Sequence, residues 1–325
     1  MKNPYRREFL QTSSKILALG AMAGISPLLA TNALANNADL NKGVKMEFKT
    51  LNNGAKMPLI GFGTYLIKGE QCTECVRQAL QAGYRLIDTA QAYHNEAEVG
   101  KGIAQSGVKR EEIFLTTKIW VSNFSAQNAK KSLLESLDKL QTPYVDLALI
   151  HQPVGNYYAA YEAMEDLHQQ GKIKSLGISN FSAERMVDIA TFCKVKPVVN
   201  QVETHLFFQQ RAMKERLDKY KVAHQAWGPL AQHRLKDIVS NSLVQQIAKK
   251  HGKTPAQIAL KFQVQQGIIV IPKTTSAKRM EENIALFDFA LSSSDMKALA
   301  KLDEKKSMWM PYDDPRIIEY ALAEY

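Results

Sequence analysis

Eight short apolar runs, near residues 60–64, 84–88, 113–118, 145–151, 174–179, 197–202, 222–227 and 267–272, alternate with stretches of helical periodicity. Strands separated by helix-length connections pair in parallel, and each crossover must bury one helix face against the sheet. Eight such units fit the chain length of 325 residues, because a closed (β/α)8 TIM barrel takes about 250 residues. The predicted fold class is therefore α/β, in one domain over residues 46–325. The helical periods carry their own punctuation. Residues 126–140 place Ala129, Leu133, Leu137 and Leu140 on one stripe and end before Pro143, and Thr254-Pro255 reads as an N-cap followed by proline at the first helical position. Ahead of the first unit, Asn52-Asn-Gly54 separates two short extended runs and predicts a β-hairpin. A hydrophobic fraction of 45% with 23% charged residues is that of a folded chain and excludes disorder.

Three of the runs end in chemistry-bearing residues: Tyr84-Arg-Leu-Ile-Asp88, Ile113-Phe-Leu-Thr-Thr-Lys118 and Val145-Asp-Leu-Ala-Leu-Ile-His151. Tyr93 lies five residues past Asp88, in the following loop. Polar residues at strand carboxyl ends build the catalytic face of such barrels. A phenol of ordinary pKa, about 10, is a poor acid at neutral pH, but a neighbouring ammonium stabilises the phenolate and lowers that value. Lys118 is expected to supply this charge, Asp88 to hold Lys118 protonated, and His151 to donate a hydrogen bond to a carbonyl oxygen. Tyr93 is left as the proton donor.

Seven motifs occur in order: Gly61-Phe-Gly-Thr-Tyr65, Asp88-Thr-Ala-Gln-Ala-Tyr93, Thr117-Lys-Ile-Trp120, Leu149-Ile-His-Gln-Pro153, Gly177-Ile-Ser-Asn-Phe181, Asn200-Gln-Val-Glu203 and Ile271-Pro-Lys-Thr274. Together they resemble those of the aldo-keto reductases, over roughly residues 46–303. The resemblance implies that the amino-terminal hairpin closes the barrel bottom, and that the activity is NADPH-dependent reduction of aldehydes or ketones, with Asp88, Tyr93, Lys118 and His151 as the catalytic set.

The dinucleotide has no Gly-x-Gly-x-x-Gly fingerprint to bind it here. By resemblance, Thr64 and Asp88 lie along the cofactor, Ser179, Asn180 and Gln201 bond the nicotinamide carboxamide, Trp227 stacks on the ring, and Gly228 and Leu230 pass close to the pyrophosphate. For Gln201 and Trp227 the competing reading is ordinary barrel-end packing. Lys273 and Arg279, six residues apart, match a pair that holds a 2′-phosphate, with Thr274 between them and Glu282 and Asn283 at the adenine. A guanidinium fork and an ammonium suit that dianion, so NADPH (NADP+) is preferred over NADH.

Tyr65, Trp120 and His151 match substrate-lining positions, with Trp309 or Tyr312 as candidates to close over the cavity. The tryptophan that often follows the catalytic histidine in this family is Gln152 here, and the connection Gln152–Asn156 is short. A more polar, more open rim favours small polar carbonyls over bulky ones. His94 and His205 read as surface or loop histidines.

Residues 1–35 read separately. Tyr5-Arg-Arg-Glu-Phe-Leu10, an apolar stretch and Ala33-Leu-Ala35 look like a twin-arginine export signal, which predicts an encounter with the twin-arginine translocase and a periplasmic enzyme, or a cytoplasmic one if the signal is unused. The apolar stretch is too short and too interrupted for a permanent membrane anchor. Removal of residues 1–35 takes away four cations and one acid, and the formal charge falls from +10 to +7. That excess lacks the basic stripe of a nucleic-acid binder and reads as a solvated surface on a monomer. Cys72-Thr-Glu-Cys75 opens a predicted helix, whose amino terminus would favour a thiolate. The competing reading is one ordinary helix face. No His/Asp/Glu cluster has metal-ligand spacing, so no metal is expected. The main rival to catalysis is a non-catalytic NADPH sensor on the same fold.

Overall fold

The computed structural model describes residues 45–310 and 314–323. The predicted export signal and Tyr312 lie outside them. The hairpin pairs β1 (Phe48–Thr50) with β2 (Lys56–Pro58), Thr50 opposite Lys56. Gly54 turns the chain at φ +86°, a conformation that costs a side-chain-bearing residue 1–2 kcal/mol or so.

The barrel then runs β3 (Phe62–Gly63), α1 (Gly69–Gln81), β4 (Leu86–Asp88), α2 (Glu96–Ala104), β5 (Phe114–Ile119), α3 (Ala126–Lys139), β6 (Leu147–Ile150), α4 (Tyr157–Gln169), β7 (Leu176–Ser179), α5 (Ala183–Phe192), β8 (Val199–Glu203), α6 (Arg211–Tyr220) and β9 (Ala223–Trp227). The sequence continues with α7 (Leu235–Ser240), α8 (Ser242–His251), α9 (Pro255–Val264), β10 (Ile269–Val270), α10 (Ala277–Ile284), α11 (Ser293–Ala300) and α12 (Arg316–Ala323). Strands β3 to β10 form one parallel sheet in sequential order. Its two outer edges meet. Ile60 pairs with Val270 in parallel, and the Gly61 and Val270 amides bond across that seam at 2.8 and 3.0 Å. Every expected strand is present; β5 matches its apolar run in length, displaced by one residue, and the other strands are shorter than theirs.

Helix stripes follow the expected periods. Ala129, Leu133, Leu137 and Leu140 are all buried, and burial of each leucine contributes about 1.5–3 kcal/mol. Ser125 caps α3 by accepting from Asn128 N–H. Thr254 and Gln257 form a reciprocal capping box at α9, with Pro255 inside it. The hairpin turn bonds to the amino ends of two strands, Asn52 Nδ2 to Pro197 O and Asn53 Nδ2 to Ser175 Oγ, both at 3.0 Å. No helix among the described residues is long and apolar enough to cross a membrane.

The cysteines follow the ordinary helix-face reading. Cys72 and Cys75 face the core rather than the helix amino terminus. Burial, with Glu98 nearby, pushes the Cys72 thiol up to about 12, and burial also raises Cys75. Desolvation here outweighs the helix dipole.

Candidate active site

Strand alternation turns Asp88, Lys118 and Gln201 toward the barrel axis, and their carboxyl-terminal positions gather them at one mouth. Lys118 is completely buried. Its ammonium donates to Asp88 Oδ1 at 2.5 Å, Thr89 O at 2.9 Å and Tyr93 Oη at 3.1 Å, so all three of its protons have acceptors. Asp88 Oδ2 accepts from Gln201 Nε2 at 2.7 Å, and the same amide reaches Gln225 Oε1 at 3.1 Å. Burial lowers the Lys118 ammonium and raises the Asp88 carboxyl, and each partner's charge opposes that effect on the other.

Tyr93 departs from expectation. Burial and the Asp88 carboxylate hold its phenol well above the ordinary value, with Tyr65 and Tyr320 acting the same way. The ammonium beside it does not reverse this, because its charge is shared with a carboxylate at 2.5 Å. The resting phenol is therefore protonated. Its oxygen accepts from Lys118, which leaves its own O–H to donate elsewhere.

The His151 ring stands edge-on to two aromatics, Tyr93 at 5.7 Å and Trp120 at 5.0 Å between centroids. Burial and the Lys118 charge keep its imidazole well below the usual range, hence neutral at pH 7. A neutral ring carries one N–H to donate. Tyr65 packs on Tyr93 at 5.0 Å.

Residues assigned to the cofactor by resemblance fall into two groups. Near the mouth, they are held by the protein. Thr64 Oγ1 donates to Asp88 O at 3.0 Å, Ser179 Oγ to Gln201 O at 3.0 Å, and Asn180 Nδ2 to His151 O at 3.2 Å. Trp227 Nε1 donates to Asn180 Oδ1 at 2.7 Å, fixing a half-buried indole. Gly228 follows at φ +61°, and a Cβ there would come within 3.5 Å of Gln232 and 3.7 Å of Met308. Leu230 is half-buried. Farther out, Lys273 and Arg279 are exposed. Thr274 Oγ1 accepts from Ser276 N–H at 3.2 Å, Ser276 caps α10, and Arg279 N–H meets that cap. Glu282 is half-buried on α10 and Asn283 is buried.

His205 lies in the loop after β8, and the surface reading is corrected, since its ring is buried. Its Nδ1 accepts from Phe207 N–H and its Nε2 faces Glu203 Oε1 at 3.1 Å. Glu203 also accepts from Ser307 Oγ at 2.5 Å and Met308 N–H at 2.7 Å, tying the carboxyl-terminal segment to the end of β8. Trp309 in that segment packs on Tyr320 at 5.3 Å, and Tyr320 acts electrostatically on Tyr93. His94 is exposed, as expected.

Sequence reasoning missed Gln91, Asn95, Glu96 and Tyr320. Asn95 bridges Thr89 Oγ1, Thr64 O and Ile67 O at 2.8–2.9 Å, and Glu96 accepts from Thr117 Oγ1 at 2.6 Å. A polar pair at the start of an amphipathic helix is the only trace of this network in the sequence.

Residues 59–304 match the model of the Aldo/keto reductase family. The chain is 39% identical over 259 residues to a 9,11-endoperoxide prostaglandin H2 reductase of Trypanosoma cruzi, covering 79% of this chain and 92% of that one. It is 38% identical over 261 residues to a methylglyoxal reductase of Escherichia coli, covering 79% and 94%. The crystal structure of an aldo-keto reductase from a Medee basin deep-sea metagenome superposes with a TM-score of 0.80 at 39% identity, covering 82% of this chain and 98% of that one.

Proposed function

The chain belongs to the aldo/keto reductase family and is an oxidoreductase, and on that premise we propose that it reduces small polar aldehydes and ketones with NADPH, Tyr93 supplying the proton. The observation that carries this is the Lys118 Nζ to Tyr93 Oη bond of 3.1 Å. It occupies the phenol oxygen and leaves the phenol proton free for a substrate oxygen.

When bound, a reduced nicotinamide supplies the hydride. The residues fit that group. Trp227 offers an indole face held by Asn180, Gly228 takes the left-handed turn that follows it, and Lys273 and Arg279 offer exposed cations at the start of α10 for a 2′-phosphate. Ser179, Asn180 and Gln201 would orient the carboxamide with the hydrogen-bonding capacity that their protein contacts leave, Thr64 and Leu230 would line the groove, Thr274 holds the start of α10, and Glu282 and Asn283 would meet the adenine.

His151 N–H and Tyr93 O–H converge on the carbonyl oxygen and stabilise the growing oxyanion, an effect worth about 3–4 kcal/mol per donor. Tyr93 then gives up its proton, and the adjacent Lys118 ammonium stabilises the phenolate left behind. Desolvation makes this stabilisation larger than it would be in water. Tyr65 and Trp120 flank the site as substrate walls, and the methylglyoxal reductase relative and the polar Gln152 both favour small dicarbonyl substrates.

The test is loss of nicotinamide absorbance when NADPH is mixed with methylglyoxal and a panel of other aldehydes. Consumption by the wild type supports the reductase. Tight nucleotide binding with no turnover of any carbonyl would favour the sensor instead.

We further assign residues 46–325 to one catalytic domain whose hairpin covers the amino-terminal mouth, a reading supported by the Asn52 and Asn53 bonds. The motif in residues 5–10 supports export of the folded chain to the periplasm. Cell fractionation that finds only unprocessed protein in the cytoplasm would overturn that assignment.

A further inference from the structure

Gln91 opens the single 3-10 turn, Gln91–Tyr93, that presents Tyr93. Its side chain leaves that turn for two other elements. Oε1 accepts from Trp120 N–H and from Asn123 Nδ2, both at 3.0 Å, and Nε2 donates to Ser136 Oγ on α3 at 3.1 Å. Trp120 immediately follows β5 and begins the turn Val121–Asn123. Gln91 therefore supplies a hydrogen-bond acceptor where β5 ends. The Trp120 ring is buried and stands 5.0 Å from His151, on which Tyr93 also packs. One amide thus links the loop carrying the proton donor to the loop carrying the opposite wall of the substrate cavity.

We propose that Gln91 is a positioning residue that holds the Trp120 wall against His151 and so sets affinity for small carbonyl substrates. The proposal rests on the reductase reading above. Tyr93 does not depend on the Gln91 side chain, since its amide bonds Ala90 O at 3.1 Å and its hydroxyl is held by Lys118. Gln91 acts on the wall rather than on the proton donor. Leucine at this position nearly matches the volume but can accept nothing, which leaves Trp120 N–H and the Asn123 amide to find other partners by moving. Glutamate keeps the two acceptor contacts and gives up only the Nε2 donation to Ser136 Oγ.

The experiment measures steady-state kinetics with methylglyoxal, or the best carbonyl of the panel, together with NADPH affinity and melting temperature, for wild type, Gln91→Leu and Gln91→Glu. Gln91→Leu is expected to raise KM for the carbonyl about tenfold, the scale of one or two lost hydrogen bonds. Its kcat and NADPH Kd should stay within about twofold of wild type. Gln91→Glu is expected to return KM to within about twofold of wild type, because the acceptor survives. An unchanged KM in the leucine variant overturns the proposal, as does a glutamate variant no better than leucine, or a fall in kcat that accounts for the whole loss. If Gln91→Leu fails to fold, Gln91→Met, with a flexible side chain of matching length, gives the same readout. A wild type that turns over normally beside an unaffected leucine variant removes only the role of Gln91. A wild type that consumes no NADPH with any carbonyl removes the reductase reading and this inference with it.

Discussion

Two lysines of this protein stand in opposite environments. Lys118 is sealed in the barrel with its ammonium on three acceptors, whereas Lys273 is exposed and makes no side-chain hydrogen bond or ion pair among the described residues. A charge taken out of water costs several kcal/mol unless it is paired, so the floor formed by Asp88, Lys118 and Tyr93 must be assembled as a unit when the chain folds. Partial desolvation also lowers the Lys273 ammonium, but with no bonded partner of its own this cation can wait for a ligand to bring the opposite charge. The difference separates residues whose geometry the protein fixes in advance from residues whose interactions a ligand completes.

Substitutions test that separation. Tyr93→Phe keeps the packing and removes the proton, and kcat is expected to fall by about 10²–10⁴-fold, with NADPH affinity nearly unchanged by fluorescence titration. Retention of wild-type turnover would falsify its role.

Lys118→Met leaves the Asp88 carboxylate buried without its cation, and a loss of about 3–5 kcal/mol of stability is expected, read as a shift in denaturant midpoint. The double variant Lys118→Met/Asp88→Leu should recover most of that stability and none of the activity. If the single variant is as stable as wild type, the floor is not the coupled unit described above.

The barrel wall should also show a pH dependence. Burial holds the His224 imidazole down at about 3, while the unfolded chain protonates near 6.5. Below pH 6.5 the unfolded state binds the extra proton, so stability falls as pH drops from about 6.5 toward about 3 and is complete above that window. Between pH 6.5 and 5 this group should contribute a loss of about 2 kcal/mol. Urea midpoints of His224→Gln, which cannot titrate, should fall by correspondingly less over the same interval.

The smallest effect belongs to the groove. Lys273→Ala or Arg279→Ala should each weaken NADPH about tenfold, the scale of one charge-assisted contact, while NADH affinity and melting temperature stay put. Equal losses for both nucleotides in calorimetric titration would place the 2′-phosphate elsewhere.

Much of this organisation is legible in the chain itself. Asp88, Lys118 and His151 were identifiable because each closes an apolar run, and a strand's carboxyl end has a known place in a barrel. The α3 stripe and the Thr254 cap were legible for a similar reason, since both are set by residues three or four apart. Gln91 was not, because what distinguishes it from any loop glutamine is contact with Trp120 and Ser136, 29 and 45 positions away. Glu203 and His205 were hidden in the same way, their environment being completed by Ser307 and Met308 more than a hundred residues later.

The order of elements, the closure into eight parallel strands and the placement of the polar residues at one mouth follow from local pattern, because apolar period and turn chemistry act over a few residues. The protonation of the floor was decided only by the tertiary structure. Lys118 beside Tyr93 foretold an acidified phenol, yet the resting phenol is held well above its ordinary value. Desolvation and the sharing of one ammonium between Asp88 and Tyr93 depend on how completely the barrel excludes water, and that is a property of packing in three dimensions.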